Sequence, residues 1–241
     1  MGPVTLRVVS WNVLADTYAH ADLYPGAEPA LLESGARASL VADTLERLDA
    51  DVVCLQEVER GLLDAWVSDG RLQDYDLHYL RRPGRPDGCA TLVRALRARA
   101  SRALVYPGCE EVAQVLVLTG GPLSLTVANT HLRWSPDGST ATRQLGHLLA
   151  DLAPEPRAVL CADANVGPTD PARAALRAHA LHDLAGAAST AVVDGEPRPL
   201  DLVAVRGLAG LLARPLAPRG PLPSRLCPSD HVPLVATVAV V

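Results

Sequence analysis

Between Tyr75 and Leu132 five strand-length runs, "YDLHYL", "GCATLVRAL", "RALVYP", "VAQVLVLT" and "LSLTVANTHL", follow one another with no helical stretch between them. Consecutive strands joined by short connections are antiparallel, because a parallel return needs a crossover of a dozen or more residues. Gly120-Gly121, between the last two runs, reads as a two-residue hairpin turn. A meander of this length excludes repeated strand-helix units as the plan of the whole chain.

The flanks of this block read differently. "VTLRVVSW" at 4–11 alternates as a strand, 29–50 carries Leu31, Leu32, Leu40, Val41, Leu45 and Leu48 at helical spacing, and "DVVCLQ" at 51–56 is a buried strand. After the meander come a helix at 140–152, the strand "RAVLCADAN", the helix "DPARAALRAHAL" behind a Thr169 cap, and the strand "PLDLVAV". A Pro-rich connection at 212–228 and the strand "VPLVATVAV" close the sequence. Two antiparallel-rich mixed sheets packed face to face with helices outside, a four-layer α/β sandwich of the α+β kind, are therefore expected. The Pro/Gly segments at 82–88 and 212–228 do not separate two cores, so 1–241 reads as one domain.

Composition narrows the partners. The net charge of −5 lacks the basic footprint of a non-specific duplex binder, so a nucleic acid would have to be held at a local site. Phe is absent and aromatics make up 3%, which leaves Ala, Leu and Val to fill the core. Cys54, Cys89, Cys109, Cys161 and Cys227 show neither CxxC spacing nor paired His, the pattern of free thiols in a reducing cytoplasm without disulfides or zinc. No apolar run reaches membrane-spanning length and "MGPVTLRVVSWN" lacks a signal pattern, so a cytoplasmic protein is expected.

Polar residues gather at strand ends: Asn12, Glu57, Asn129 with His131, Asp163 with Asn165, Asp201, and Asp230 with His231. A single Asn or Asp there is ordinarily a turn former, and a single His in a strand ordinarily pairs with a carbonyl. Turn propensity accounts for each one and not for their repetition across six strand ends.

The segments "SWNVLAD", "DVVCLQEVE", "PDGCATLVR", "NTHLRW", "CADANVGP", "LDLVAV" and "SDHVPL" stand in the order of the endonuclease/exonuclease/phosphatase superfamily, which the chain resembles from 5 to 240. Within it, "WNVLADTY", "DGCA" and "NTHLRWSP" with the following Arg143 and Gln144 look like the branch of nocturnin, the Angel proteins and the carbon-catabolite-repression deadenylases.

The resemblance implies a phosphoesterase using Mg²⁺, with Mn²⁺ as a substitute and one or two ions. Such an ion is hard and takes oxygen ligands, and it offsets the charge that repels an attacking water. Glu57 is the direct ligand, supported by the carbonyl oxygen of Asn12 and by Asp230 directly or through water. Asp163 orients or deprotonates the water, and Asn165 donates to a phosphoryl oxygen. His131 contacts the phosphate, as does His231, which donates best as an imidazolium with Asp201 as its carboxylate partner. Asn129 braces the site and is carried with Arg143, Trp134 and Arg82 as a weaker substrate contact. Gln56, Gln144, Arg81 and Arg85 form a further tier.

Several positions depart from the family pattern. Leu202 and Ala164 stand where aromatics are usual, the 185–199 loop is short, and with no Phe it falls to Tyr18, Tyr24 or Trp134 to stack on a base, which is worth about 1–3 kcal/mol. The resemblance implies processing of RNA 3′ ends, by removal of a 2′,3′-cyclic or terminal phosphate or by 3′-exoribonuclease cleavage, and the scarcity of aromatics favours the former. A DNA or small-molecule phosphodiesterase and a non-catalytic module that kept the fold are the alternatives. A place in a larger RNA-processing polypeptide or complex stays open.

Overall fold

The computed structural model describes residues 4–121, 123–213 and 220–239. Met1 to Pro3, the 214–219 part of the Pro-rich connection and the last residue of the expected final strand lie outside them.

The chain opens with β1 (Thr5–Asn12), α1 (Ala38–Leu48), β2 (Val52–Glu59), α2 (Arg60–Ser68), β3 (Asp76–Arg81) and β4 (Asp87–Val93). It continues through β5 (Arg97–Val105), β6 (Val112–Gly120), β7 (Leu123–His131), α3 (Ser139–Leu152), β8 (Ala158–Asp163), α4 (Pro171–Ala178) and β9 (His182–Asp183). A small ribbon of β10 (Ala191–Val193) and β11 (Glu196–Arg198) precedes β12 (Asp201–Arg206), β13 (Ala209–Ala213) and β14 (Leu234–Ala239).

One six-stranded sheet runs β13-β14-β1-β2-β4-β3 and the other β5-β6-β7-β8-β12-β9. Each holds one parallel pair, β1 with β2 and β7 with β8, bridged by α1 and α3 respectively. All the other pairings are antiparallel.

Alternation along the strands makes three apolar layers. Val8 and Val52 of one sheet meet Leu116, Val127 and Val159 of the other. Their neighbours Val9, Val53 and Leu55 turn outward to Val41, Leu45, Leu63 and Trp66 on α1 and α2. Val115, Ala128 and Leu160 pack on Leu145, Leu148 and Leu176 of α3 and α4. Each buried Leu or Val contributes about 1.5–3 kcal/mol, so the absence of Phe is met by number rather than by size.

Four local readings change. The helix expected over 29–50 begins only at Ala38, since 29–32 forms a 3-10 turn and Gly35 takes φ 78°. α2, β9, the β10–β11 ribbon and β13 had no clear period to betray them. Asp170, not Thr169, caps α4 by accepting from the Ala172 N–H at 2.8 Å. Gly120 pairs with Leu123 as part of the β6–β7 ladder, so the turn falls one residue later, with Gly121 at φ 56°.

Candidate active site

Both parallel pairs deliver their C-terminal ends to one rim. β1 ends on Asn12, β2 carries Gln56 and Glu57, β7 ends on His131 and β8 on Asp163, with His131 directly opposite Asp163. Opposite Asp163 on its other side, β12 begins with Asp201.

Glu57 reaches the rim through a bulge. Leu55 pairs with Ala90, the next pair is Val58 with Gly88, and the extra residue on β2 leaves Glu57 at φ 57°. A bulge of this kind re-aims a side chain, and left-handed backbone at a non-glycine residue costs about 1–3 kcal/mol. Across the kink, a Cβ on Gly88 would sit 2.2 Å from the Leu80 carbonyl oxygen, so β3 can close on β4 only at glycine.

The two sheets meet at the Asn12 amide. Its Nδ2 donates to Glu57 Oε1 and to Asp163 Oδ2, both at 2.9 Å, while its Oδ1 accepts the Leu14 N–H at 3.0 Å. The carbonyl oxygen expected to support an ion accepts this backbone N–H with one of its two lone pairs, and the amide nitrogen holds two carboxylates in register. Glu57 Oε2 also accepts the Ala15 N–H at 3.1 Å. Burial above all, with Asp230 adding, pushes the Glu57 carboxyl up, against the pull of His131.

Asp163 is buried, and its Oδ1 accepts the Asn165 N–H at 3.1 Å. Burial opposes its charge, yet His231, His131 and the Asn12 amide hold it below the usual aspartate range. Asn165, at φ 51°, spends its amide protons on the Leu132 carbonyl and on His131 Nε2, each at 2.9 Å. A donor facing Nε2 leaves the His131 proton on Nδ1, and Nδ1 is buried without a partner. Asn165 therefore orients His131, and neither of its protons is directed at a phosphoryl oxygen as expected.

His231 Nδ1 lies 2.8 Å from Asp201 Oδ2, the pairing expected from the sequence. Burial works against its charge, but Asp201, Asp163 and Asp230 raise it well above the ordinary histidine value. Three supports had no signal in the sequence. Trp11 Nε1 donates to the His231 carbonyl at 2.8 Å, and Ser229 Oγ donates to the Asn12 carbonyl at 2.7 Å while accepting the His231 N–H at 3.1 Å. Thr190 Oγ1 accepts the Asp201 N–H at 3.0 Å.

The remaining candidates are spread out. Asp230 Oδ2 accepts from the Tyr24 hydroxyl at 3.0 Å, which makes Tyr24 a rim residue bound to Asp230 rather than a free stacking surface. Arg82 is committed to Asp87 at 2.7 Å and lies 3.8 Å from Glu111, so it is a buried pair and no loop contact for substrate. Gln144 is likewise internal, holding the Arg133 N–H and Glu111. Asn129 is fully buried, which excludes contact with substrate. Arg143 and Trp134 are exposed, Trp134 at 63%.

Glu57, His131 and Asp163 each offer a donor atom within 4.8 Å of the others, and Asp163, Asp201 and His231 form an overlapping set. Two carboxylates with hard oxygens, one of them kept uneasy by burial, suit a divalent cation. The class so defined is a four-layer α/β sandwich with a carboxylate and imidazole centre fit for a divalent ion, built where its two sheets meet.

The chain belongs to the Endonuclease/Exonuclease/phosphatase family, whose model matches residues 9–231. It is 31% identical over 210 residues to human 2′,5′-phosphodiesterase 12, covering 68% of this chain and 34% of that protein. The chain thus spans about a third of the length of the curated relatives it matches. Among solved structures it resembles ANGEL2, a 2′,3′-cyclic phosphatase, with a TM-score of 0.88 at 21% identity over 99% of this chain and 96% of that one. The human nocturnin catalytic domain follows with a TM-score of 0.77 at 20% identity, over 97% and 93%. Among the described residues no helix is long and apolar enough to cross a membrane.

Proposed function

We propose that this chain is one cytoplasmic domain acting as a Mg²⁺-dependent phosphoesterase on RNA 3′ ends. The observation that carries the reading is the Asn12 amide joining Glu57 of one sheet to Asp163 of the other beside two imidazoles. Similarity to a 2′,5′-phosphodiesterase and to a 2′,3′-cyclic phosphatase supports phosphoester chemistry at a ribose terminus.

Glu57 and, through water, Asp230 would hold the ion, which when bound offsets phosphoryl charge and aligns the leaving group. The chain's own groups do the rest. Asp163, kept ionised, takes the proton of an in-line water. The unpartnered Nδ1–H of His131 donates to a non-bridging oxygen, and His231, charged through Asp201, donates to another.

End-labelled RNAs differing only in their 3′ terminus test this, incubated with Mg²⁺ or Mn²⁺. Removal of a 2′,3′-cyclic or terminal phosphate without shortening is expected. A second reading, stepwise cleavage of 2′,5′ or 3′,5′ linkages, is favoured by the human relative's activity and would show as a ladder. Turnover of neither kind would sink both.

A further inference from the structure

We propose that Asn129 is the positioning residue for Glu57, acting from the opposite sheet. It sits in β7 of the second sheet, yet its Nδ2 donates to the carbonyls of Leu55 at 3.1 Å and Ala90 at 3.0 Å in the first. Those two residues are the last regular pair of the β2–β4 ladder before the bulge that carries Glu57. The Asn129 Oδ1 accepts from Gln56 Nε2 at 2.8 Å, and Gln56 is the other residue of the bulge. Thr91 Oγ1, at 3.3 Å from Nδ2, ties the same amide to β4.

One side chain therefore grips both strands at the place where their pairing breaks. It can do so because it is fully buried between the sheets, where an amide with both protons and its oxygen paired is stiff and an unpaired carbonyl is costly. The consequence is a common reference for the two halves of the site. β7 carries the grip at 129 and His131 two residues on, and His131 lies opposite Asp163. Glu57 is thus located against the same strand that locates His131 and Asp163, and the bulge is prevented from relaxing into regular pairing.

The claim rests on the reading of Glu57 as the ion-holding carboxylate, and the test separates the two. Mn²⁺ affinity is measured by calorimetry for the full chain and for Asn129→Ala, Asn129→Ser and Leu145→Ala, with circular dichroism to confirm folding, and the Asn129 variants are crystallised. Asn129 acts on Glu57 only through the bulge and the pair before it, and a misplaced metal ligand is taken to cost affinity on the scale of a lost outer partner, about 10- to 100-fold. That loss is expected for Asn129→Ala, with a smaller one for Asn129→Ser, which keeps a single donor. Leu145→Ala, cut in the outer core under α3, should lower the melting temperature and leave Mn²⁺ affinity unchanged. Folded Asn129 variants that bind Mn²⁺ as the parent does, or that keep Glu57 on Asn12 in the crystal, would overturn the positioning role. A parent that takes no Mn²⁺ would instead remove the reading of the site, and the position of Glu57 in the variant crystals would still decide the role of Asn129.

Discussion

His131 and His231 present their Nε2 atoms to the same oxygen, Oδ2 of Asp163, each at 3.6 Å. Their ring partners differ. Asn165 donates to Nε2 of His131, whereas Asp201 on Nδ1 of His231 favours the imidazolium. Asp163 is thus the junction of two rings, one oriented by an amide and the other by a carboxylate.

Asp163→Asn removes the charge at that junction with little change in volume. The turnover number should fall by about 10²–10⁴-fold, the worth of a general base, with a much smaller change in KM. Steady-state kinetics under saturating Mg²⁺ decide it; an unchanged kcat would remove Asp163 from the reaction.

Glu57→Gln keeps the acceptor for the Asn12 amide and loses the charge that would hold the ion. Calorimetric titration should show Mn²⁺ binding abolished or weakened by orders of magnitude, and a chelator should silence the parent enzyme reversibly.

Ser229→Ala leaves the buried Asn12 carbonyl and His231 N–H without their partner. Urea denaturation should register a loss of about 1–3 kcal/mol, and kcat should drop with it because both residues flank the site.

Tyr24→Phe frees Asp230 Oδ2 while keeping the ring in place. Fold stability should change by about 0.5–1.5 kcal/mol, the net worth of one hydrogen bond, whereas Mn²⁺ affinity should shift clearly if Asp230 reaches the ion through water.

Glu111 gives a pH signature away from the ion. Burial opposes its charge, and its own backbone N–H and Arg133 overcome this, holding the carboxyl below the usual glutamate range. A depressed folded value means a stabilising contribution that is full above about pH 4.3 and lost as pH falls through the lower folded value. The gap in unfolding free energy between parent and Glu111→Gln should therefore be constant near neutrality and close in acid.

The periodicities of the strands and the polar residues at their ends were enough to foresee two face-to-face sheets and a gathering of polar strand ends at one rim. What escaped was orientation. Nothing in "CLQEVE" announces that Glu57 lies in a bulge, because the cause is a glycine on β4 and an asparagine in the other sheet. The Asn12 amide was expected to face an ion with its oxygen, and the neighbouring Leu14 N–H, which also binds that oxygen, can be seen only once the chain turns there. Arg82 read as a weaker substrate contact because Asp87, five residues on, gives no sign in the sequence of being buried beside it. Trp11 and Ser229 contact partners more than 200 residues away, beyond the reach of any local pattern.

In the first sheet β1 and β14 lie side by side, with Thr5 opposite Ala239 and Ser10 opposite Leu234. The ends of the described chain are therefore neighbours at the margin remote from the candidate site, while the strands of the second sheet all lie between them, with only the β10–β11 ribbon interposed. A short covalent link between those ends, with new ones opened in the exposed Gly207 corner, would give a circular permutant whose reacting groups keep their places.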